Sequence, residues 1–94
     1  MAESFRVLTS PAFEREFRKI SKGNPALIEA FEELLAILQE DPQNRTARHR
    51  IKKLVGLAPG EGQWRIRWRE YRLRYDIFGR DVVLHSFRHR REAY

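Results

Sequence analysis

Cysteine is absent from the chain. That excludes disulfides and thiolate metal ligands, and it fits a reducing cytoplasm. No run of about 18 apolar residues occurs, so no membrane-spanning helix is expected. The opening MAESFRVLTS has neither a basic n-region nor an apolar h-region, so a signal peptide is not expected either. Histidine is scarce, with three scattered copies and no carboxylate cluster beside them. That leaves no recognisable metal site and implies no cofactor. There is no internal repeat, linker or low-complexity segment. With 94 residues, 41% of them hydrophobic, the chain has material for one compact domain spanning 1–94.

Acidic residues are scarce in one half only. Residues 1–44 hold five Lys/Arg and eight Asp/Glu, whereas residues 45–94 hold fourteen Lys/Arg and five Asp/Glu. The net charge of +6 is therefore concentrated in the second half, almost entirely as arginine. Arginine presents a planar fork of donors that suits phosphate and stacks on flat rings. A basic, arginine-rich half is the electrostatic footprint of a polyanion partner; the plainer alternative is a solvated surface.

Local signals order the elements. Residues 4–9 (SFRVLT) alternate and predict a short strand. Ser10-Pro11 reads as an N-cap followed by a proline in the first turn, with Phe13, Phe17 and Ile20 at helical spacing until Gly23. Asn24-Pro25 repeats the device. Leu27, Ile28, Phe31, Leu34, Leu35 and Leu38 then form one apolar stripe as far as Asp41-Pro42. Residues 42–50 predict a polar loop, and the APGEG segment predicts a turn. Strands follow at about 63–69, 71–78 and 81–88. The expected fold is α+β, in the order β-α-α-β-β-β, with a helical hairpin on one face of an antiparallel sheet.

The stretch WRIRWREYRLRYDIFG decides how the arginines are placed. Strand residues alternate between faces, so Trp64, Ile66 and Trp68 share one side, and Arg65, Arg67 and Arg69 the other. A two-residue turn at Arg69-Glu70 pairs 68 with 71, 66 with 73 and 64 with 75, all apolar or aromatic pairs. The same register sets Arg67 opposite Arg72 and Arg65 opposite Arg74; an odd-length turn would mix the faces. A second two-residue turn at Gly79-Arg80 pairs 77 with 82 and 75 with 84. It also sets His85 opposite Arg74 and Phe87 opposite Arg72, on the basic face. Like charges directly across a strand pair are unfavourable, and a bound anion would compensate them.

Arginine forks on phosphates, with an exposed aromatic beside them, suit RNA. RNA is cleaved when its 2′-hydroxyl attacks the adjacent phosphate. The enzyme must then align the attacking and leaving oxygens, stabilise the extra phosphate charge and move two protons. Arginines supply the charge but are poor proton carriers. The tail FRHRREAY offers alternatives. Tyr94, set among arginines, is expected to titrate below its ordinary value and serve as a base; otherwise it is a frayed terminus. His85 and His89 offer the residue type suited to proton transfer near neutral pH, although a strand histidine is more often simply a satisfied structural residue. His49 reads as surface.

These features, KKLVGL…GQWRIRWREYRLRYDI…DVVLHSFRHRREAY together with the short first strand and helical hairpin, resemble the RelE/ParE superfamily of toxins from toxin–antitoxin pairs over essentially the whole chain. The signature W-R-I-R, Y-R-L-x-Y and H-R-R-E-x-Y is more specific to the superfamily than to one activity. The RelE branch implies a ribosome-dependent, metal-independent mRNA endonuclease that enters the A site of the 70S ribosome and cuts the bound codon by 2′-hydroxyl attack. On that resemblance Arg65, Arg67, Arg72, Arg90 and Tyr94 are the catalytic candidates, with Arg91 an alternative to Arg90. Arg74, His85, Phe87, His89, Arg91, Lys52 and Lys53 are candidate RNA contacts. Well-known members carry lysines where this chain has Arg65 and Arg67, which shifts proton transfer toward Tyr94 or the histidines. The resemblance also implies a cognate antitoxin, DNA contact only through the toxin–antitoxin complex, and a cytoplasmic protein. The rival within the superfamily is a ParE-type toxin that inhibits DNA gyrase without cutting RNA. A further rival is a nucleic-acid-binding domain with no catalysis.

Overall fold

A computed structural model describes residues 4–93, with side chains as far as Arg91. Strand β1 spans Arg6–Leu8. Ser10 then caps helix α1, Pro11–Ser21: its hydroxyl accepts from the Phe13 N–H at 3.1 Å, and Pro11 occupies the first turn, where a missing N–H costs nothing. Asn24 caps helix α2, Pro25–Glu40, in the same way through the Leu27 N–H. Strands β2 (Ile51–Lys53), β3 (Trp64–Trp68), β4 (Tyr71–Phe78) and β5 (Asp81–His89) follow, and a short helix α3, Arg90–Ala93, ends the described chain.

The α+β class and the two helices packed on one sheet are as expected, while the sheet itself differs in two respects. Its order is β1-β5-β4-β3-β2, five strands where four are expected. Strand β2 carries no alternation of its own; it exists because Ile51, Lys52 and Lys53 pair with Ile66, Arg65 and Trp64. The sheet is also mixed rather than antiparallel, because β1 runs parallel to β5, with Val7 opposite Val82. Alternation reports which face a residue takes and carries no information on strand direction.

The apolar set of β3 and β4 packs on the helices. Phe13, Leu27, Leu34 and Leu38 close over Ile66, Leu73, Tyr75, Val82, Leu84 and Phe87. The buried positions of α2 are Leu27, Ala30, Leu34 and Leu38; Ile28 lies off that line and is 46% exposed. Tyr75 is fully buried, and its hydroxyl donates to the Pro42 carbonyl at 2.7 Å. Burial and the nearby Asp41 charge push that phenol far above its ordinary range, so it stays a donor.

The β3–β4 register is the expected one: Trp68 with Tyr71, Arg67 with Arg72, Ile66 with Leu73, Arg65 with Arg74 and Trp64 with Tyr75. The β4–β5 register is as expected only to Tyr75–Leu84. It then shifts, pairing Arg74 with Ser86, Leu73 with Phe87, Arg72 with Arg88 and Tyr71 with His89. His85 is the extra residue of a β-bulge, so every partner beyond it changes face. Phe87 is consequently not on the basic face. It is fully buried, its ring 5.5 Å from Phe17 and 5.8 Å from Phe31, and it has no surface left on which a base could stack. Among the described residues, no helix is long and apolar enough to cross a membrane.

Candidate functional site

The face opposite the helices carries two cross-strand rows of basic residues. The first continues the β2–β3 ladder by one step, where the Arg67 N–H donates to the Arg50 carbonyl at 3.0 Å. It runs Arg50, Arg67, Arg72, Arg88 over four neighbouring strands. The second runs Lys52, Arg65, Arg74 and the bulged pair His85-Ser86. Neighbouring strands lie about 4.8 Å apart, so four guanidiniums in line repel one another unless something absorbs their charge.

Part of that charge is absorbed within the fold. Arg74 is a clamp: its Nε donates to the Gly62 carbonyl at 3.2 Å and its Nη2 to the Glu61 carbonyl. Arg88 lies against Glu16 of α1 at 3.4 Å, and the same carboxylate accepts from the Phe87 N–H on the open edge of β5. Arg90 leaves the strand at the start of α3. Its N–H donates to the Glu70 carbonyl, and its Nε pairs with the Glu70 carboxylate at 2.7 Å.

Arg72 behaves differently. It is only 8% exposed, its Nη1 donates to the Arg69 and Tyr71 carbonyls at 3.3 and 3.2 Å, and its buried Nε has no hydrogen-bond partner. A buried guanidinium N–H left unmade is costly. Beside it Arg67 and Arg50 stand exposed, with no side-chain hydrogen bond among the described residues. Arg65 is half-buried between Lys52 and Arg74.

The fold therefore brings Arg65, Arg67, Arg72, Arg74, His85 and Lys52 together on one face. It does not bring the rest. Lys53 has the opposite parity and sits over the Trp64 ring at 5.5 Å. His89 stands on the helix side of the sheet, edge-on to Tyr71 at 5.3 Å, with its Nδ1 accepting from the Arg91 N–H. Arg91 is exposed in α3. Tyr94 lies outside the described residues.

Three contributors escaped the sequence reading. Arg50 sits in the segment read as loop, and Arg88 reaches the basic face only through the bulge, which pairs it with Arg72. Asp76, 2% exposed, accepts from the N–H groups of Gly60, Gly62 and Gln63 at 2.9–3.1 Å. It draws the APGEG loop down onto the end of the second row. A lone acid in an arginine-rich strand, fourteen residues after a glycine-rich turn, is the signal that could have found it.

The helix pair packed on a mixed sheet, with an arginine-covered opposite face, is compatible with the expected RelE-like fold, and a family comparison assigns the chain. The family model described as ParE toxin of type II toxin-antitoxin system, parDE, matches residues 7–94, and the chain belongs to that family, within the RelE/ParE superfamily. It is the toxin of a type II pair, which implies a cognate antitoxin partner. No curated protein and no solved structure matches the chain.

Proposed function

We propose that this toxin is a metal-independent endoribonuclease that cleaves mRNA in the ribosomal A site, with the arginine face holding the scissile phosphate. The observation that carries the reading is Arg72: nine-tenths buried, with an unpartnered Nε, inside a row of like charges. Folding alone does not favour that arrangement, and a phosphate would satisfy it. Arg65, Arg67 and Arg72 stabilise the charge that develops on the phosphorane; Arg90, tied to Glu70 at the start of α3, adds positive charge beyond Arg88. Proton transfer falls to Tyr94 or a histidine, because guanidiniums are poor proton carriers. Lys52 and Arg91 add contacts along the RNA backbone. The protein acts in the cytoplasm as one domain, its partners being mRNA, the 70S ribosome and the antitoxin, with DNA reached only through the antitoxin complex.

The test is induction of the wild type, Arg67→Ala and Tyr94→Phe in bacteria, with primer extension on a translated message. Codon-spaced cuts in the wild type that vanish in both variants are the expected result. A second reading is favoured by the matching family's own description, ParE toxin: inhibition of DNA gyrase, with the arginine face as a binding surface. Growth arrest with an SOS response and no cuts, unaffected by Tyr94→Phe, selects that reading.

A further inference from the structure

The cleavage reading needs a proton acceptor for the 2′-hydroxyl, and the fold distinguishes the three histidines. His49 is engaged in the loop after α2: its N–H donates to Asn44 Oδ1 at 3.1 Å, its carbonyl accepts from Asn44 Nδ2 at 3.0 Å, and its Nε2 lies 3.9 Å from Asp41. His89 is on the opposite side of the sheet with its Nδ1 occupied. His85 alone stands exposed on the arginine face.

Its place there is built by two separate features. The bulge leaves His85 and Ser86 together opposite Arg74, so an extra residue is turned to the basic face where strict alternation supplies one. Gly62 then backs the ring. Its φ is +78°, and a Cβ at that position would lie 3.2 Å from His85 Cγ and 3.0 Å from Arg74 Nε. Glycine is thus needed both for the backbone angle and for the close approach. The loop that carries Gly62 is anchored by Asp76, and Arg74 is tied to the same loop, so His85 rests against fixed backbone. One strand away from Arg74 is Arg65, and two residues along β4, about 6.8 Å, is Arg72.

We infer that His85 is the general base of the proposed cleavage, an assignment that rests on the endonuclease reading. With the phosphate on Arg65, Arg67 and Arg72, the His85 imidazole takes the proton of the 2′-hydroxyl. The O2′–P bond forms and the P–O5′ bond breaks, leaving a 2′,3′-cyclic phosphate and a 5′-hydroxyl. The departing 5′ oxygen takes its proton from solvent water, and the His85 imidazolium returns its proton to solvent. Histidine suits the first role because its ordinary titration spans neutrality. The charged groups around it are Arg74 and the buried Asp76 from β4, Arg65 from β3 and Lys52 from β2, with the Glu61 carboxylate turned to the Ala58 N–H and Glu16 of α1 further along at Arg88.

The experiment measures single-turnover cleavage on mRNA-programmed ribosomes between pH 5.5 and 9. It uses the wild type, His85→Gln, His85→Ala with added imidazole, and Tyr94→Phe, together with ribosome-binding affinity and thermal midpoints. The wild-type rate is expected to rise with pH through the histidine range. In His85→Gln it falls by about 10²–10⁴ and loses that rise, while binding and thermal midpoint stay unchanged; imidazole restores part of the rate to His85→Ala. A His85→Gln enzyme with the wild-type rate and profile overturns the assignment and leaves the endonuclease reading standing. So does a loss without flattening or rescue. A wild type that makes no cuts overturns both.

Discussion

Asp76 is a carboxylate buried at the end of a basic strand, and among the described residues it has no cationic partner and is held by backbone N–H groups. Asp76→Asn keeps the shape but turns two donors toward a nest of donors, and hydrogen bonds to charged groups contribute about 1.5–3 kcal/mol each. A loss of about 2–4 kcal/mol is expected, read as a lower urea midpoint with an unchanged slope. Arg69 presents the converse case. It has φ +52° in the two-residue β3–β4 turn, where glycine carries no penalty, and its guanidinium lies 5.0 Å from the Trp68 ring. Left-handed backbone costs a non-glycine residue about 1–2 kcal/mol, and an exposed cation–π contact returns about 0.5–1 kcal/mol. Arg69→Gly is expected to raise the thermal midpoint by about 2–6 °C, and an unchanged or lower midpoint refutes the strain argument. The sequence marks Asp76 as a lone acid in a basic strand and Arg69 as a turn residue, but the nest and the positive φ are properties of backbone that folds around the side chain.

Between α2 and β2 the chain winds around one carboxylate. Asp41 accepts from the Arg45 N–H at 2.7 Å, the Thr46 N–H at 3.1 Å and the Thr46 hydroxyl at 2.6 Å, with His49 nearby. Burial alone would raise its pKa; the Thr46 and Arg45 hydrogen bonds and His49 outweigh burial and hold it below the usual carboxylate value. A group with a depressed folded pKa contributes stability that is present above its unfolded pKa, about 4, and lost as pH falls through the folded value. Asp41→Asn should therefore be less stable than the wild type at pH 7. The gap should narrow steadily below about pH 4, checked by thermal midpoints from pH 2.5 to 7. The loop matters to the site because it delivers Arg50 and Lys52 to the edge of the sheet. The β3–β4 pairing was legible, since an odd-length turn would mix arginines with aromatics on both faces. The β4–β5 pairing was legible only as far as the bulge.

At the scale of the molecule the acidic residues of α2 and the arginine rows lie on opposite sides of the sheet. Helix α2 carries Glu29, Glu32, Glu33 and Glu40 and no lysine or arginine, and it packs on the face away from the arginine rows. The arrangement turns the arginine face toward a polyanion, with Arg88 held by Glu16 and Arg90 by Glu70 while Arg50 and Arg67 stay exposed. On the proposed reading, three to four phosphates are neutralised. Binding to a short single-stranded RNA should then fall with log salt at a slope of about −2 to −3, and Arg67→Ala should reduce that slope by about 0.7. A flat salt dependence excludes the face as a phosphate track.

Much of this fold follows from the chain alone. The Ser10-Pro11 and Asn24-Pro25 caps start both helices, and the alternation of 64–78 pairs two strands and sorts their arginines from their aromatics. These are short-range matters of period and turn chemistry. Tertiary structure decided the rest. A bulge at His85 moved Phe87 into the core and set Arg88 in the arginine row, because one inserted residue inverts every side chain after it while leaving the hydrophobic pattern readable either way. Strand β2 exists only because β3 offers it a partner, and β1 runs parallel because two helices return the chain to the far edge of the sheet. The proposed base owes its position to a glycine 23 residues earlier that the Asp76 nest draws against it, a closeness that the order of residues along the chain does not encode.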